Sequence, residues 1–236
     1  MPKGKFFCFS PPVMIATFFI EIAMAMYILW RYKATPLTRL VVLLFAFLAI
    51  FQLAEYMVCG GMGMTAMTWS RIGFVAITML PPLGVHIVHA IAGRKNPIVI
   101  GAAYLTALAC ILYFALAPSA FAGQACLGNY VIFQLENWAS WIYRAFYYGW
   151  VLTGIGLCLK YATEMKSAKL RTALRLFACG YAAFIIPTTL ANLLQPDTLR
   201  GVPSIMCGFA VLMALITTFG VLPLIDKIKH KRHTSK

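Results

Sequence analysis

Seven long apolar runs, separated by short polar breaks, constrain this chain more than any other feature of its sequence. A helix that crosses a bilayer needs about 20 apolar residues, and every run reaches that length. In a chain of 236 residues, seven such helices leave room only for connectors and tails. The sequence therefore predicts a single all-α domain, a bundle of seven transmembrane helices, over Pro11–Trp30, Leu40–Cys59, Ser70–Ala92, Pro97–Ala117, Trp138–Leu159, Leu170–Leu194 and Val202–Ile225.

The composition excludes most other classes of protein. Hydrophobic residues make up 62% of the chain and charged residues 11%, against about 45–50% and 25% in ordinary soluble domains. A disordered chain and a soluble globular domain are both excluded on these numbers. The odd number of cysteines, 7, together with the apolar composition, also argues against a secreted disulfide scaffold.

The distribution of Lys and Arg predicts the orientation of the bundle. Short loops rich in these residues stay in the cytoplasm. The loops after predicted spans 1, 3 and 5, with the C-terminal tail, hold fifteen of the 20 basic residues, and the other side holds Lys3, Lys5, Arg71, Arg144 and Arg200. We therefore expect an external N-terminus and a cytoplasmic C-terminus in the cytoplasmic (inner) membrane of a cell.

The tail Asp226–Lys236 carries five basic residues together with His230 and His233. We expect it to anchor the topology and to contact anionic lipid headgroups, and a protein partner or a second copy of the chain is the alternative. The net charge of +14 is thus explained by membrane orientation, and no nucleic-acid partner is predicted.

Polar side chains gather near the external ends of several spans. Glu55 lies about 6 Å, and Arg144 about 9 Å, below the external surface by helical rise. Gln52 shares a helix face with Glu55, and Arg71 and Asn192 lie at the same end of their spans. We predict that Glu55 pairs with Arg144, with Arg71 as second choice, because a guanidinium can hold a carboxylate through two hydrogen bonds.

Span 5 is rich in aromatic residues around Arg144, and Tyr147, Tyr148 and Trp150 lie deeper than an interfacial belt requires. One interpretation is a packing face. The other is an outward-facing cavity that binds a ligand and is lined by Gln52, Glu55, Arg71, Tyr143, Arg144, Tyr147 and Asn192.

A second polar layer is predicted nearer the cytoplasm, from Glu21, His86, His89 and Thr217. Three interpretations stay open: a hydrogen-bonded cluster between helices, a proton or ion path, and a metal site. The metal site would use His86 and His89 with Glu21, because the only other histidines lie in the basic tail. No cofactor is predicted. A retinal Schiff base is excluded because Val202–Ile225 contains no lysine.

Three cysteines, Cys8, Cys59 and Cys126, fall at or beyond the external surface. A disulfide from Cys126 to Cys59 or Cys8 would hold the longest loop, Pro118–Asn137, over the mouth of the bundle, and that loop is predicted to form a short hairpin lid. Unpaired small apolar side chains are the alternative.

The N-terminal third resembles a family of small uncharacterised bacterial membrane proteins. The resemblance lies in Cys8-Phe9-Ser10-Pro11 before the first span and in Phe51-Gln52-Leu53-Ala54-Glu55 at the end of the second. The layout is also similar in architecture to the seven-helix sensory region of some bacterial histidine kinases. The resemblance implies that Gln52 and Glu55 belong to a recurring feature of the outer mouth, and it supplies no substrate.

These observations favour a membrane protein that binds or senses a small ligand. A transporter or channel subunit for protons, ions or small solutes comes second, followed by a non-catalytic subunit of a membrane complex. An intramembrane metal hydrolase comes last, because no paired acid and base share one depth.

Overall fold

The computed structural model describes residues 11–60, 63–126, 131–194 and 202–227. Within these ranges the chain is a helical bundle that carries one small β-hairpin. Helices occupy all seven of the predicted spans, and most helix ends lie within four residues of the expected positions. The helices are α1 Pro11–Arg31, α2 Pro36–Gly60, α3 Ala66–Thr78, α4 Leu80–Ala92, α5 Pro97–Leu116, α6 Asn137–Glu164, α7 Ala168–Leu194 and α8 Val202–Leu215.

Local hydrogen bonds set several of the turns between helices. Between α1 and α2, the backbone N–H of Thr35 donates to Oγ1 of Thr38 (2.7 Å), and the N–H of Thr38 donates to Oγ1 of Thr35 (3.3 Å). Asn96 caps α5 by accepting from the N–H of Val99. Such side-chain caps satisfy N–H groups that have no partner inside the helix.

Prolines coincide with two irregularities in the bundle. The third predicted span is two helices, α3 and α4, which meet at Met79, and Pro81 and Pro82 lie in the first turn of α4. In the last span, α8 passes into a π-helical stretch, Ile216–Val221, just before Pro223, which has no N–H to donate. Pro187, by contrast, lies inside a continuous α7.

The predicted hairpin is present in the loop between α5 and α6. Strands β1 (Phe121–Cys126) and β2 (Val131–Leu135) pair antiparallel, with an irregularity between Phe121 and Gly123. Phe121 is buried, and its ring lies 5.1 Å from that of Phe74 in α3. The hairpin is therefore packed onto the end of the bundle where α3 begins.

The bundle has the apolar surface of an integral membrane protein. Among the residues that the structure describes, six helical segments are long and apolar enough to cross a membrane: Pro12–Arg31, Pro36–Cys59, Ala66–Ala92, Pro97–Leu116, Ala168–Ala191 and Ile205–Lys227. Large side chains such as Ile98, Leu105 and Leu116 lie exposed on α5, where lipid solvates them. The chain is thus a multi-pass helical membrane protein in contact with the lipid bilayer.

Helix α6 is not among these six segments, although its 28 residues would suffice in length. It carries Arg144 and a run of tyrosines and tryptophans in place of aliphatic side chains. The predicted seven spans and the predicted orientation therefore stay predictions, whereas the helical membrane bundle is confirmed.

Candidate functional site

The structure does not form the predicted ion pair between Glu55 and Arg144. Glu55 is buried in the core, with 1% of its surface exposed. Arg144 lies on the exposed face of α6, and its guanidinium stacks over the ring of Trp141 at 5.4 Å. The two side chains leave their helices in different directions, so depth alone gave the wrong pairing.

Arg71, the second predicted partner of Glu55, also makes other contacts. Its guanidinium donates to the carbonyl oxygens of Ala115 (2.7 Å) and Ala117 (3.2 Å) at the C-terminal end of α5. These carbonyls have no partner inside the helix, and a cation there is favourable for the helix dipole. Arg71 therefore caps α5 and connects it to α3, and the Arg71–Glu55 pairing is wrong as well.

Four of the residues predicted to bind a ligand do lie in the core. Tyr143 and Tyr147 are buried with ring centroids 6.0 Å apart, and Gln52 and Glu55 are buried on α2. Tyr143 also shares a hydrogen bond with Oγ1 of Thr78 (3.2 Å). Of the residues predicted to line the ligand cavity, the structure therefore brings these four into the core, and neither arginine is among them.

Cys207 of α8 connects these core residues. Cys207, Glu21 and Glu55 are all buried, and the helices that carry them, α8, α1 and α2, pack against one another. Glu21 and Glu55 also interact electrostatically with each other. The two acids, which the sequence assigned to separate layers, therefore belong to one region between α1, α2 and α8, which we call the acidic core.

A small cavity of about 30 Å³ borders this region in the middle of the bundle. Five helices contribute to its wall, and the wall is largely apolar. Two tyrosines, Tyr147 and Tyr181, add hydroxyl groups. The lining residues are Leu44, Leu48, Leu80, Pro81, Gly84, Tyr147, Val151, Tyr181, Phe184, Met206, Cys207, Ala210 and Met213.

Tyr181 of α7 is positioned by two glycines. A Cβ atom added at Gly84 of α4 would collide with the hydroxyl of Tyr181, and one at Gly154 of α6 would lie 2.8 Å from it. The close approach of α4 and α6 to this ring thus requires both glycines. The hydroxyl is buried and has no hydrogen-bond partner.

Glu21 is the most unusual polar residue of the structure. It is completely buried, and neither carboxylate oxygen has a hydrogen-bond partner. The hydroxyls of Thr217 and Thr218, in the π-helical stretch, are likewise buried without a partner. Unpartnered buried polar groups are costly and, in membrane proteins, ionisable ones mark ligand or ion sites.

The two histidines of the predicted inner layer make separate contacts. Nδ1 of His86 lies 3.3 Å from the hydroxyl of Tyr104 in α5. His89 is buried, with Nδ1 2.9 Å from the carbonyl oxygen of Val85 and Nε2 3.2 Å from the hydroxyl of Tyr161 in α6. Within the described part of the chain, neither ring is hydrogen-bonded to Glu21 or Thr217.

Tyr161 links His89 to Arg94 at the end of the bundle. The guanidinium of Arg94 lies 4.8 Å from the Tyr161 ring centroid and forms an ion pair with Glu164 (2.5 Å). His89 therefore connects α4 to α6 through its contact with Tyr161.

Across residues 11–60, 63–126, 131–194 and 202–227, no group of three or more His, Cys, Asp or Glu is arranged to hold a metal ion.

Cys59 is disulfide-bonded, and the predicted bond of Cys126 to Cys59 or Cys8 stays a prediction. Cys110, Cys158, Cys179 and Cys207 are free, which leaves Cys8 and Cys126 as the candidates for its partner. Cys8, the side chain of Cys126, the side chain of Asn192 and residues 228–236 of the basic tail lie outside the described parts.

Sequence reasoning missed three residues that define the core site: Cys207, Tyr181 and Gly84. Each lies in an apolar run in which no charged residue indicates a functional site. The sequence offers one signal, the small residues on α4 and α6. Small residues indicate close packing between helices, but they do not show which side chain packs against them.

Comparison of the chain with models of protein families and with curated proteins finds no match.

Proposed function

We propose that this integral membrane protein binds a small ligand at the core of its helical bundle. The observation that carries the proposal is the cavity bordered by α2, α4, α6, α7 and α8, whose largely apolar wall includes the polar side chains of Tyr147, Tyr181 and Cys207. An apolar wall with a few convergent polar groups is the usual composition of a small-molecule site.

This proposal moves the ligand from an outward vestibule into the core. The vestibule depended on Arg144, which faces outward, and on Arg71, which caps α5. Gln52, Glu55, Tyr143 and Tyr147 remain candidates to contact the ligand. The hairpin and the disulfide of Cys59 support the lid part of the earlier hypothesis, since both lie at the end of the bundle where α2 finishes.

Filling the cavity tests this proposal. Ala210 lines it, and Ala210→Leu is expected to abolish any rise in Tm that small molecules or ions give the purified wild-type protein in a thermal-stability screen. The matched control is Ala109→Leu, on the exposed face of α5, which should keep the full response. Equal responses in both variants would contradict the proposal.

Movement of protons or ions is the second candidate function, and Glu21 specifically favours it. A completely buried, unpartnered carboxyl in a membrane helix is typical of proton and ion pathways. Flux assays in liposomes separate the two functions, because a binding or sensing protein passes no ions and a transporter loses its flux in Glu21→Gln.

For the topology, we propose seven spans with an external N-terminus. The described basic residues at the ends of α1, α4 and α6 lie at one end of the bundle, where Arg94 of the α4–α5 turn pairs with Glu164 of α6. Protease-protection mapping of terminal tags is expected to place the two termini on opposite sides of the membrane. Termini on one side would mean that α6 does not cross, and the orientation would be wrong.

A further inference from the structure

We propose that the first turns of α6 bind the headgroup of a phospholipid, and that Arg144 holds its phosphate on the outer surface of the bundle. The site is separate from the proposed ligand site in the core, since Arg144 does not line that cavity. It lies at the end of the bundle that carries the hairpin, because α6 begins directly after β2.

Arg144 lies on a side of α6 that faces lipid. Leu152 and Leu159, about two and four turns further along the same side of the helix, are exposed. Helix α6 packs against α4 and α7, which belong to segments able to cross a membrane. Its outward side chains therefore lie beside acyl chains. Arg144 is exposed among them, and an arginine in such surroundings is costly unless a partner compensates its charge.

The guanidinium of Arg144 is turned toward the membrane surface. It stacks over the ring of Trp141 at 5.4 Å, one turn closer to the start of α6. Trp141 follows Asn137, the first residue of α6, by about 6 Å of helical rise. Trp138 and Trp141 are 55% and 70% exposed, and exposed tryptophans are typical of the headgroup level. The charge of Arg144 thus lies at the depth where lipid phosphates are found.

The chain itself provides no anion for this charge. Within the described residues, no acid forms an ion pair with Arg144. Glu136, the acid nearest to it in sequence, accepts a hydrogen bond from a tryptophan (2.8 Å), and Glu164 pairs with a different arginine. Glu21 and Glu55 are buried inside the bundle, whereas Arg144 is exposed on its surface. An anion that compensates Arg144 therefore comes from outside the described chain.

A phospholipid fits this side of α6 better than a second copy of the chain. A two-fold contact joins the same surface of both copies, so it would bring two Arg144 side chains together and supply neither with an anion. A phospholipid carries a phosphate, which accepts two parallel hydrogen bonds from a guanidinium. Its acyl chains extend deeper into the membrane, where they cover Leu152 and Leu159. One amphipathic molecule thus matches both the charged and the apolar part of this surface.

Photolabelling tests this site. The purified protein, in a nonionic detergent, is irradiated with a phosphatidylglycerol that carries a diazirine close to its headgroup, and the labelled peptides are mapped by mass spectrometry. We expect label within residues 137–152. Arg144→Gln should reduce that label about tenfold, because a hydrogen bond to a charged group contributes at least this factor in affinity. Arg144→Lys should keep part of it, since lysine retains the charge without the fork geometry.

Lys160→Gln is the matched control, because Lys160 is an exposed basic residue near the other end of α6. This variant should keep the full label within residues 137–152. Unlabelled phosphatidylglycerol should compete for the site, whereas inorganic phosphate and a diacylglycerol with the same acyl chains should not, because each supplies only one part of the ligand.

Three results would overturn the inference. Equal label in the wild type and in Arg144→Gln would mean that Arg144 does not hold the lipid. Competition by inorganic phosphate alone would mean that the site binds a soluble anion. An absence of label, together with a smaller particle mass of Arg144→Gln in light scattering, would assign this side of α6 to contact between copies of the chain.

Discussion

Gly84→Ala is expected to lower the free energy of unfolding by about 1–3 kcal/mol, the usual range for an overpacked core. The added Cβ would collide with the hydroxyl of Tyr181 and would lie 3.2 Å from its Cζ atom. The ring is also approached closely by α6, since a Cβ at Gly154 would lie 2.8 Å from the same hydroxyl. The measurement is thermal or denaturant unfolding of the purified protein.

Two companion variants make this prediction specific. Gly101→Ala, in α5, meets nothing within 4 Å, so it should be neutral or slightly stabilising, as expected for alanine in a helix. Tyr181→Phe removes the hydroxyl, which has no hydrogen-bond partner, and should cost little alone while restoring much of the stability lost in Gly84→Ala. Equal losses at Gly84 and Gly101 would contradict this packing.

The helices could be predicted because length and apolarity suffice for them. A run of about 20 apolar residues has few alternatives to a spanning helix. Helix α5 begins at Pro97 as predicted, and α2 begins at Pro36, four residues before the predicted Leu40. Helix α6 shows the limit of this reasoning. Its tyrosines and tryptophans lower its mean hydropathy. Some of these residues are buried in the core, and others are exposed on the surface of the bundle.

The site was harder to predict because depth along a helix says nothing about rotation around it. Tyr143 and Arg144 are neighbours in sequence, yet the first is buried against Thr78 and the second is exposed beside Trp141. Successive residues of a helix point about 100° apart, so a pairing based on depth has no means of choosing between them.

The same limit applies to the predicted layers. His86 and His89 lie at similar depth, but α4 runs between α5 and α6, so each ring finds a different tyrosine. Depth along the helices grouped Glu21 with these histidines. However, α1 packs against α2 and α8, which carry Glu55 and Cys207. Which helices are neighbours decides these contacts, and a single sequence does not contain that information directly.

Glu21→Leu is expected to stabilise the protein by about 1–3 kcal/mol, which is the typical cost of a buried polar group without a partner. Leucine is close to glutamate in size, so the packing around residue 21, which is completely buried, changes little. The measurement is thermal or denaturant unfolding of the two purified proteins under the same conditions.

Ile28→Ala is the control for packing on the same helix. Ile28 is also completely buried on α1, and truncating it should destabilise by about 2–5 kcal/mol. A loss of stability in Glu21→Leu would mean that the carboxylate has a structural role. A gain would mean that the chain keeps a destabilising acid in its core, as natural proteins commonly give up stability at functional sites.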